Sequence, residues 1–298
     1  MLKVENLCKN YPTFSLKNVG FELKNGCITG FVGQNGAGKT TTLKCIMRQV
    51  LPSGGKVSIN GVDFAANERE LKSKISFSNG TFEYFPMKKL KDVADCYKTF
   101  YDNFNQTVFN EYCEKFNLDL NKKVRELSAG MKVKFSLALA LSHEAEIFIF
   151  DEPTSGLDPI AREEVTDVFR EIVSDGEKSV LFSTHITEDL DKCADYILFI
   201  DNGEIIVDRE KDELLDSLYI VSGDLSLLTP ENESLFVSVK TNAFGFKGLI
   251  TRENYKKLMA LNGGTIGILS GENTIAEKPT IDDVIVYYTR AKKYGNKK

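Results

Sequence analysis

The chain has 298 residues, of which 42% are hydrophobic and 27% charged, and its formal net charge is −5 at pH 7. Its longest apolar run lies around residues 145–150, contains Glu146, and is far shorter than the ~20 residues that a membrane-spanning helix needs. Because the N-terminus lacks the apolar core of a signal peptide and no basic footprint for nucleic acid is present, we expect a cytoplasmic protein that does not bind nucleic acid.

Hydropathy patterning predicts strands that alternate with helices from the N-terminus to about Leu215. The predicted strands are Leu2–Leu7, Val19–Leu23, Cys27–Val32, Lys56–Ile59, Ile75–Ser78, Ile147–Phe150, Ser179–Phe182, Tyr196–Ile200 and Glu204–Val207. The predicted helices lie at about 39–49, 90–104, 108–116, 127–141, 161–173 and 187–192. Since Ile147–Phe150 is apolar on both faces, as a central parallel strand should be, the pattern indicates an α/β domain.

After about Leu215 the pattern becomes weaker. Segments with strand character are Leu235–Lys240, Phe246–Ile250 and Gly264–Leu269, and segments with helical character are Arg252–Leu261 and Thr280–Thr289. We therefore expect residues 1–215 to form the main domain and residues 216–298 to form a small α+β accessory domain.

A phosphate-binding loop lies between the third predicted strand and the first helix. Residues 33–40 read Gly-Gln-Asn-Gly-Ala-Gly-Lys-Thr, which fits the P-loop pattern in full. Glycines let consecutive backbone N–H groups surround a polyphosphate, and the following helix directs its positive end toward it. We expect Lys39 to reach the β- and γ-phosphates and the Thr40 hydroxyl to bind Mg²⁺. Kinases, GTPases, helicases and transport motors share this loop, so it does not by itself define a function.

Two adjacent carboxylates follow the buried strand Ile147–Phe150. Asp151 is expected to hold Mg²⁺ through water, and Glu152 to polarise the water that attacks the γ-phosphate. ATP hydrolases often carry this adjacent pair and GTPases rarely do, so the pair favours ATP hydrolysis.

Further segments resemble motifs of the ABC transporter family of ATPases. Residues 127–131 read Leu-Ser-Ala-Gly-Met and are similar to the LSGGQ signature of that family, with departures at Ala129 and Met131. Residues 151–159 read Asp-Glu-Pro-Thr-Ser-Gly-Leu-Asp-Pro and resemble its Walker B motif and D-loop. His185 and Tyr11 stand where the family keeps its switch histidine and its adenine-stacking aromatic. The motifs follow the family's order over residues 1–215.

The resemblance implies the fold of a P-loop NTPase, with a RecA-like core, an antiparallel β subdomain and a helical subdomain at about 82–142. It also implies that two chains, identical or related, pair head to tail, so that the signature of one covers the ATP held by the other. The implied catalytic residues are Glu152, His185 and Lys39, and the implied Mg²⁺ ligands are Thr40 and, through water, Asp151. The implied ATP contacts are Tyr11, Gly33, Asn35, Gly36, Ala37, Gly38, Lys39, Thr40, Thr41, Ser128, Gly130 and Asp158.

On this resemblance, the chain is an ATP-hydrolysing subunit that lies on the inner face of the cell membrane. It is expected to power export of a drug, peptide or lipid-like substrate through a separate membrane-spanning permease. Residues 279–284, Pro-Thr-Ile-Asp-Asp-Val, are similar to a stretch of the bacterial exporter branch. The alternatives are an importer ATPase and a soluble ABC ATPase without a transport role. A P-loop kinase or GTPase is disfavoured because it has no LSGGQ-like element.

Two positions in the nucleotide region leave alternatives open. Phe14 can replace Tyr11 as the platform for adenine. After the strand Ile75–Ser78 the family usually carries a glutamine, and this chain has Asn79 or Gly80 there. The loop that connects nucleotide state to the permease therefore departs from the family pattern.

The helical subdomain is the expected docking surface for the permease. The aromatic residues Phe82, Tyr84 and Phe85 in the 80–117 region are the candidate contacts. His143, just before the strand Ile147–Phe150, is expected to be a helix-end or surface residue without a catalytic role.

Overall fold

The computed structural model describes residues 1–79, 84–261 and 275–295. The chain divides into two compact units, Met1–Asp208 and Arg209–Lys298, so the division lies a few residues before the boundary expected at 215–216. Within the described ranges, every helix is too short or too polar to cross a bilayer. The expected strand Gly264–Leu269 and the positions Gly80 and Phe82 lie outside the described residues.

An antiparallel sheet contains the first strands of the first unit. Its order is β2-β1-β4-β5, with β1 (Leu2–Asn10), β2 (Ser15–Glu22), β4 (Gly54–Ile59) and β5 (Val62–Asp63). Val4 of β1 lies opposite Phe21 on one side and Val57 on the other, and all three side chains are buried. This alternation of buried and exposed positions is what a sheet with one covered face requires.

A second, mostly parallel sheet forms the centre of the same unit. Its order is β10-β9-β3-β8-β7-β6. The strands are β3 (Ile28–Val32), β6 (Ile75–Ser78), β7 (Ile147–Asp151), β8 (Ser179–Thr184), β9 (Tyr196–Asp201) and β10 (Glu204–Glu210). Every residue of β3, β7 and β8 is buried, as in a parallel sheet covered on both faces. Since these three strands are neighbours and parallel, the loops at their carboxyl ends meet along one edge.

The helices of the first unit are α1 (Lys39–Ile46), α2 (Glu68–Ser73), α3 (Leu90–Lys98), α4 (Gln106–Lys115), α5 (Ala129–Leu141), α6 (Pro159–Val173) and α7 (Thr187–Cys193). Side-chain caps define several starts: the side chains of Asn105, Ser128 and Asp158 accept bonds from backbone N–H groups of α4, α5 and α6, respectively. The first helix ends earlier than predicted, because Arg48 adopts a left-handed φ of 52° that helical geometry does not allow.

The second unit is a four-stranded antiparallel sheet with helices. Its order is β12-β13-β11-β14, with β11 (Leu218–Gly223), β12 (Phe236–Asn242), β13 (Gly245–Thr251) and β14 (Ile275–Glu277). The helices are α8 (Lys211–Asp216), α9 (Pro230–Glu233), α10 (Arg252–Leu261) and α11 (Ile281–Gly295). A small core that includes Val221, Phe236 and Ile250 holds it together. The first unit agrees with the predicted α/β class, and its two sheets confirm the P-loop NTPase architecture with its antiparallel subdomain, while the antiparallel sheet and helices of the second unit agree with the predicted α+β class.

Candidate functional site

The predicted phosphate loop, acidic pair and histidine come together at the carboxyl edge of the central sheet. Residues 33–38 follow β3, Asp151 ends β7, and His185 follows β8. Because β8 lies between β3 and β7, the strand that His185 follows is a neighbour of both the strand before the loop and the strand that ends in the acids. Ligands of open α/β sheets bind outside this edge, where the strand ends leave a crevice.

The loop conformation favours glycine at three of its positions: Gly36, like Gly38, has a left-handed φ (83°), and Gly33 makes a close backbone contact. Gly38 has a φ of 118°, and a Cβ placed there would lie 2.7 Å from Leu16 Cδ2. A Cβ at Gly33 would lie 2.4 Å from the carbonyl oxygen of Ile200. Side chains at these positions would therefore displace the backbone that has to approach a polyphosphate. The loop fits the ligand that its sequence predicts.

Lys39 is the cation of this site and is 5% exposed. Its Nζ donates to the carbonyl oxygen of Gly33 at 2.7 Å and lies 3.3 Å from Glu152 Oε1. A buried ammonium needs such partners, because burial removes its hydration. A phosphate can take the place of either partner, so this lysine is positioned to bind an anion in the cavity.

Glu152 links the lysine to the histidine. Its second carboxylate oxygen, Oε2, lies 2.7 Å from His185 Nδ1. The backbone of Glu152 has a left-handed φ of 53°, and its N–H donates to the Ser183 carbonyl oxygen at 3.1 Å and to Ser183 Oγ at 2.9 Å. A non-glycine residue rarely adopts this φ, which costs about 1 kcal/mol or more. The surrounding contacts therefore hold the carboxylate in place against local strain.

Asp151 lies deeper than Glu152. It is buried, and its Oδ1 accepts a hydrogen bond from Ser183 Oγ at 2.5 Å. The same serine therefore orients both acids, one through its hydroxyl hydrogen and the other through its oxygens.

A cavity of about 720 Å³ lies over the loop, in the size range of small-molecule and cofactor sites. Its lining is Thr13, Phe14, Gln34, Asn35, Gly36, Gly38, Lys39, Thr40, Thr41, Glu152, Ser155, His185 and Asn202. Thr13, Gln34, Ser155 and Asn202 are not among the predicted site residues. Asn202 belongs to the β9–β10 turn, which reaches the loop because Gly203 N donates to the Ala37 carbonyl oxygen at 2.9 Å. An Asn-Gly turn predicts a hairpin but gives no sign of this packing.

The two candidate adenine platforms have different positions. Phe14 lines the cavity, and its ring approaches the loop, since a Cβ at Gly38 would lie 2.9 Å from Phe14 Cζ. Tyr11 lies outside the lining and is 41% exposed, with the ammonium of Lys9 5.4 Å from its ring centroid. Of the two alternatives that the sequence left open, the geometry of this chain favours Phe14.

Ser128, Gly130 and Asp158 lie outside the lining of this cavity. They form a second group, because a Cβ at Gly130 would lie 3.6 Å from Ala161 Cβ in the first turn of the helix that Asp158 caps. The Ala161 backbone N–H lowers the pKa of Asp158 below its ordinary value. Ser128 and Asp158 are exposed. Within one chain, therefore, the loop and the signature-like helix start belong to different surfaces.

A further cavity of about 440 Å³ lies between α3, α5 and the end of β6. Tyr84, Phe85 and Phe100 line it and are strongly exposed. Asn79, one of the two positions where a glutamine was expected, also lines this cavity and not the cavity over the phosphate loop.

His143 follows α5, as predicted, but it is buried and not a surface residue. Its ring stacks on Tyr101 at a centroid distance of 4.1 Å, and Nδ1 lies 3.5 Å from Tyr97 Oη. Burial lowers the pKa of His143 below its ordinary value. The packing, which aromatic spacing in the sequence did not reveal, places it in the interior of the helical subdomain.

Comparisons with known proteins agree with this arrangement. The family model described as ABC transporter matches residues 16–155. The ABC transporter ATP-binding protein YxlF of Bacillus subtilis (strain 168) is 33% identical over 224 residues, which cover 72% of each chain. The lantibiotic transport ATP-binding protein SrtF of Streptococcus pyogenes is 31% identical, over 74% of this chain and 96% of its own. The solved structure of an ABC transporter ATP-binding subunit has a TM-score of 0.66 at 26% identity, over 72% of this chain and 92% of that one.

Proposed function

Since this chain belongs to the ABC transporter family of ATP-binding proteins, we propose that it hydrolyses ATP to power export of a drug, peptide or lipid-like substrate. ATP binding and hydrolysis are the activity of this family. One series of contacts in this chain carries the assignment. Beside the phosphate cavity, Lys39 Nζ lies 3.3 Å from Glu152 Oε1, and Glu152 Oε2 lies 2.7 Å from His185 Nδ1.

Each member of this series has a role in hydrolysis. Lys39 binds the β- and γ-phosphates and leaves Glu152 when they enter. Glu152 then accepts a hydrogen bond from the attacking water and raises the electron density on its oxygen. His185 holds the carboxylate through Nδ1 and presents the rest of its ring to the γ-phosphate. As the water oxygen bonds to the γ-phosphorus, the bond from the γ-phosphorus to the bridging oxygen breaks, the water's proton passes through Glu152 to the phosphate, and the products are ADP and inorganic phosphate.

Mg²⁺ is the metal that we propose for this site. Thr40 offers an exposed hydroxyl and Asp151 a carboxylate, and hard oxygen donors of this kind suit Mg²⁺. The ion, when bound, neutralises charge on the β- and γ-phosphates. Thr40 lies at the start of α1, and Asp151 is held by Ser183 at the end of β7, so both donors are fixed by the fold.

Hydrolysis requires a second chain in this proposal. Ser128 and Gly130 lie outside the cavity of their own chain, at the exposed start of α5, where backbone N–H groups point away from the helix. A head-to-tail pair, either of two copies or with a related ATPase subunit, brings this helix start over the partner's nucleotide. Asp158 accompanies it, because it caps the helix packed beside Gly130.

The membrane-spanning permease is the second proposed partner, and the chain lies on the inner face of the membrane through it. The cavity between α3 and α5 offers an apolar groove with an aromatic rim, which suits a short amphipathic helix. Lys44 at the end of α1 and Ser136 on α5 both line it, so an inserted helix contacts the elements that begin at the phosphate loop and at the signature. Tyr84 and Phe85 are the described candidates for this contact; Phe82 lies outside the described residues.

A mixing experiment tests the paired site. A Lys39→Ala chain lacks the phosphate cation but keeps its signature, and a Ser128→Arg chain has the opposite defect. Each is expected to be inactive alone, while their mixture regains part of the wild-type ATPase rate, because a mixed pair contains one complete site. A mixture as inactive as its components, with wild type active in parallel, contradicts the paired site.

A second experiment tests docking and direction. Tyr84→Glu and Phe85→Glu are expected to abolish co-purification with the permease, whereas Val62→Glu, at an exposed apolar position in the antiparallel sheet, serves as the control. Co-purification that survives both rim substitutions contradicts the docking surface. In inverted vesicles that contain the pair, ATP-driven uptake indicates export, and ATP-driven release of a preloaded substrate would overturn that direction.

A further inference from the structure

Asp189 is a buried acid that the steps above do not use. It lies in the first turn of α7, shortly after His185, and is 1% exposed. Its Oδ2 accepts a hydrogen bond from Thr154 Oγ1 at 2.6 Å. Thr154, shortly after Glu152, is 0% exposed. Among the residues that the structure describes, Asp189 Oδ1 has no hydrogen-bond partner.

The Thr154–Asp189 bond joins the acid segment to the histidine segment on the far side of Glu152 and His185 from Ser183, which already accepts from the Glu152 N–H. On the inner side, Ser183 Oγ donates to Asp151 Oδ1 at 2.5 Å. On the outer side, Thr154 donates to Asp189. The contact between Glu152 and His185 lies between these two bonds along both segments. Ser183 therefore restrains the inner end of the segments that carry the carboxylate and the imidazole, and the Thr154–Asp189 bond restrains their outer end.

We propose that Asp189 is a positioning residue for ATP hydrolysis, which acts through Thr154 to hold Glu152 and His185 at their working separation. This inference rests on the proposed roles of Glu152 and His185. Glu152 has a strained φ of 53°, so its segment relaxes if an outer restraint is lost. Displacements of about 1 Å at a catalytic group can lower a rate by as much as about 10²-fold.

Energetics separate this role from a purely structural one. Removing one partner of a buried hydrogen bond leaves the other unsatisfied, which is costly, whereas replacing both partners by apolar groups can be nearly neutral for stability. If the Thr154–Asp189 hydrogen bond served only stability, a pair of apolar side chains could thus replace it. A positioning bond could not be replaced in this way, since apolar contact does not fix direction as a hydrogen bond does.

The experiment compares Thr154→Val, Asp189→Leu, the double variant and Asp189→Asn in the full chain. The control is Thr166→Val, which removes an equally buried hydroxyl whose bond, to the Glu163 carbonyl, stays within α6. Thermal unfolding midpoints are measured beside kcat and KM for Mg·ATP. Valine has nearly the same shape as threonine, so Thr154→Val still tests the role of the hydrogen bond even if Asp189→Leu fails to fold.

Each single variant at the bond is expected to lower the unfolding midpoint, and the double variant to regain most of that loss. The kcat of Thr154→Val and of the double variant is expected to stay about tenfold to a hundredfold below wild type with little change in KM. Asp189→Asn, which keeps an oxygen acceptor for Thr154, should retain most of kcat. In a Glu152→Gln background, Thr154→Val should cause little further loss, because both changes affect one catalytic group.

Three results would overturn the inference. The first is a double variant that regains kcat together with stability, and the second is a loss of kcat in Thr166→Val as large as that in Thr154→Val. The third is a combined Thr154→Val and Glu152→Gln variant whose loss of kcat equals the product of the two single losses. Wild type that fails to hydrolyse ATP at any protein concentration, both alone and with its permease and any related ATPase subunit, would overturn the proposed site and this inference together. Active wild type with any of the three results overturns the positioning role alone.

Discussion

Glu152→Gln is the substitution whose effects on rate and on affinity the structure separates most clearly. It keeps the size of the side chain and removes the negative charge. A positioned general base contributes typically about 10²–10⁴-fold to a rate, so kcat should fall within that range. The ATP-bound pair should then accumulate, because the step that releases it is slowed.

The same substitution should tighten nucleotide binding by the lone chain. Lys39 Nζ lies 3.3 Å from Glu152 Oε1, with the lysine almost fully buried and the glutamate 24% exposed. Phosphate has to displace this contact before Lys39 can bind it. A hydrogen bond to a charged group contributes about 1.5 kcal/mol net, at the low end of its range, which corresponds to about tenfold in affinity. Glutamine offers a weaker, uncharged acceptor, so most of this cost disappears.

Mg·ADP is the ligand for the binding measurement, because its β-phosphate reaches Lys39 while hydrolysis and ATP-driven pairing are absent. Fluorescence titration gives its affinity, and phosphate release gives kcat. Glu171→Gln is the matched control: it removes the same charge from an exposed pair with Lys115, in the same unit. Turnover of Glu152→Gln at the wild-type rate would refute the role of the base. ADP affinity that is unchanged, or raised equally by Glu171→Gln, would refute the competition between carboxylate and phosphate.

Three further predictions concern the phosphate loop, the aromatic platform for adenine and the buried His143. Gly38→Ala should weaken nucleotide binding more than Gly36→Ala, because both glycines have a left-handed φ (118° and 83°) but only a Cβ at Gly38 also has close neighbours, with Leu16 Cδ2 at 2.7 Å; equal losses in an ADP titration would contradict the packing argument. Phe14→Ala should lower ADP affinity about tenfold, as expected for one lost base–aromatic stack, and Tyr11→Ala much less; the reverse order would restore Tyr11 as the platform. Burial lowers the pKa of His143 below its ordinary 6.5, so the unfolded chain binds a proton on this histidine at a higher pH than the folded chain does. The free energy of unfolding therefore falls as the pH drops below about 6.5, until the pH reaches the folded-state pKa. His143→Gln should lack this part of the acid sensitivity in denaturant titrations, and an unchanged pH profile would contradict it.

Local sequence determined the parts of this protein that depend on backbone chemistry and periodicity. The loop at 33–40 can be predicted from the sequence because only glycine tolerates its dihedral angles and close contacts, and because a lysine and a threonine must follow at fixed positions. The central strand Ile147–Phe150 can be predicted because both of its faces are apolar. The helix start at Ser128 follows from its cap, whereas α6 begins two residues before the predicted Ala161 because the Asp158 side chain caps it.

Less of the second unit could be predicted, because its elements are short and its burial pattern is mixed. The strand β11 (Leu218–Gly223), which lies between β13 and β14, had no clear signal in the sequence. The short helices α2 and α8 were missed for the same reason, since a single turn or two shows little periodicity.

Only the tertiary structure decided which distant side chains meet. The strand order places β8 between β3 and β7, and this order, absent from any local pattern, brings His185 to Glu152 and Glu152 to Lys39. The same order makes Thr154 donate to Asp189 and folds the turn at Asn202 onto the phosphate loop. Residue type and spacing specify what each segment can do, because they act through nearest neighbours along the chain. Which segments act together depends on sheet pairing between residues far apart in sequence, and that pairing is a property of the folded chain.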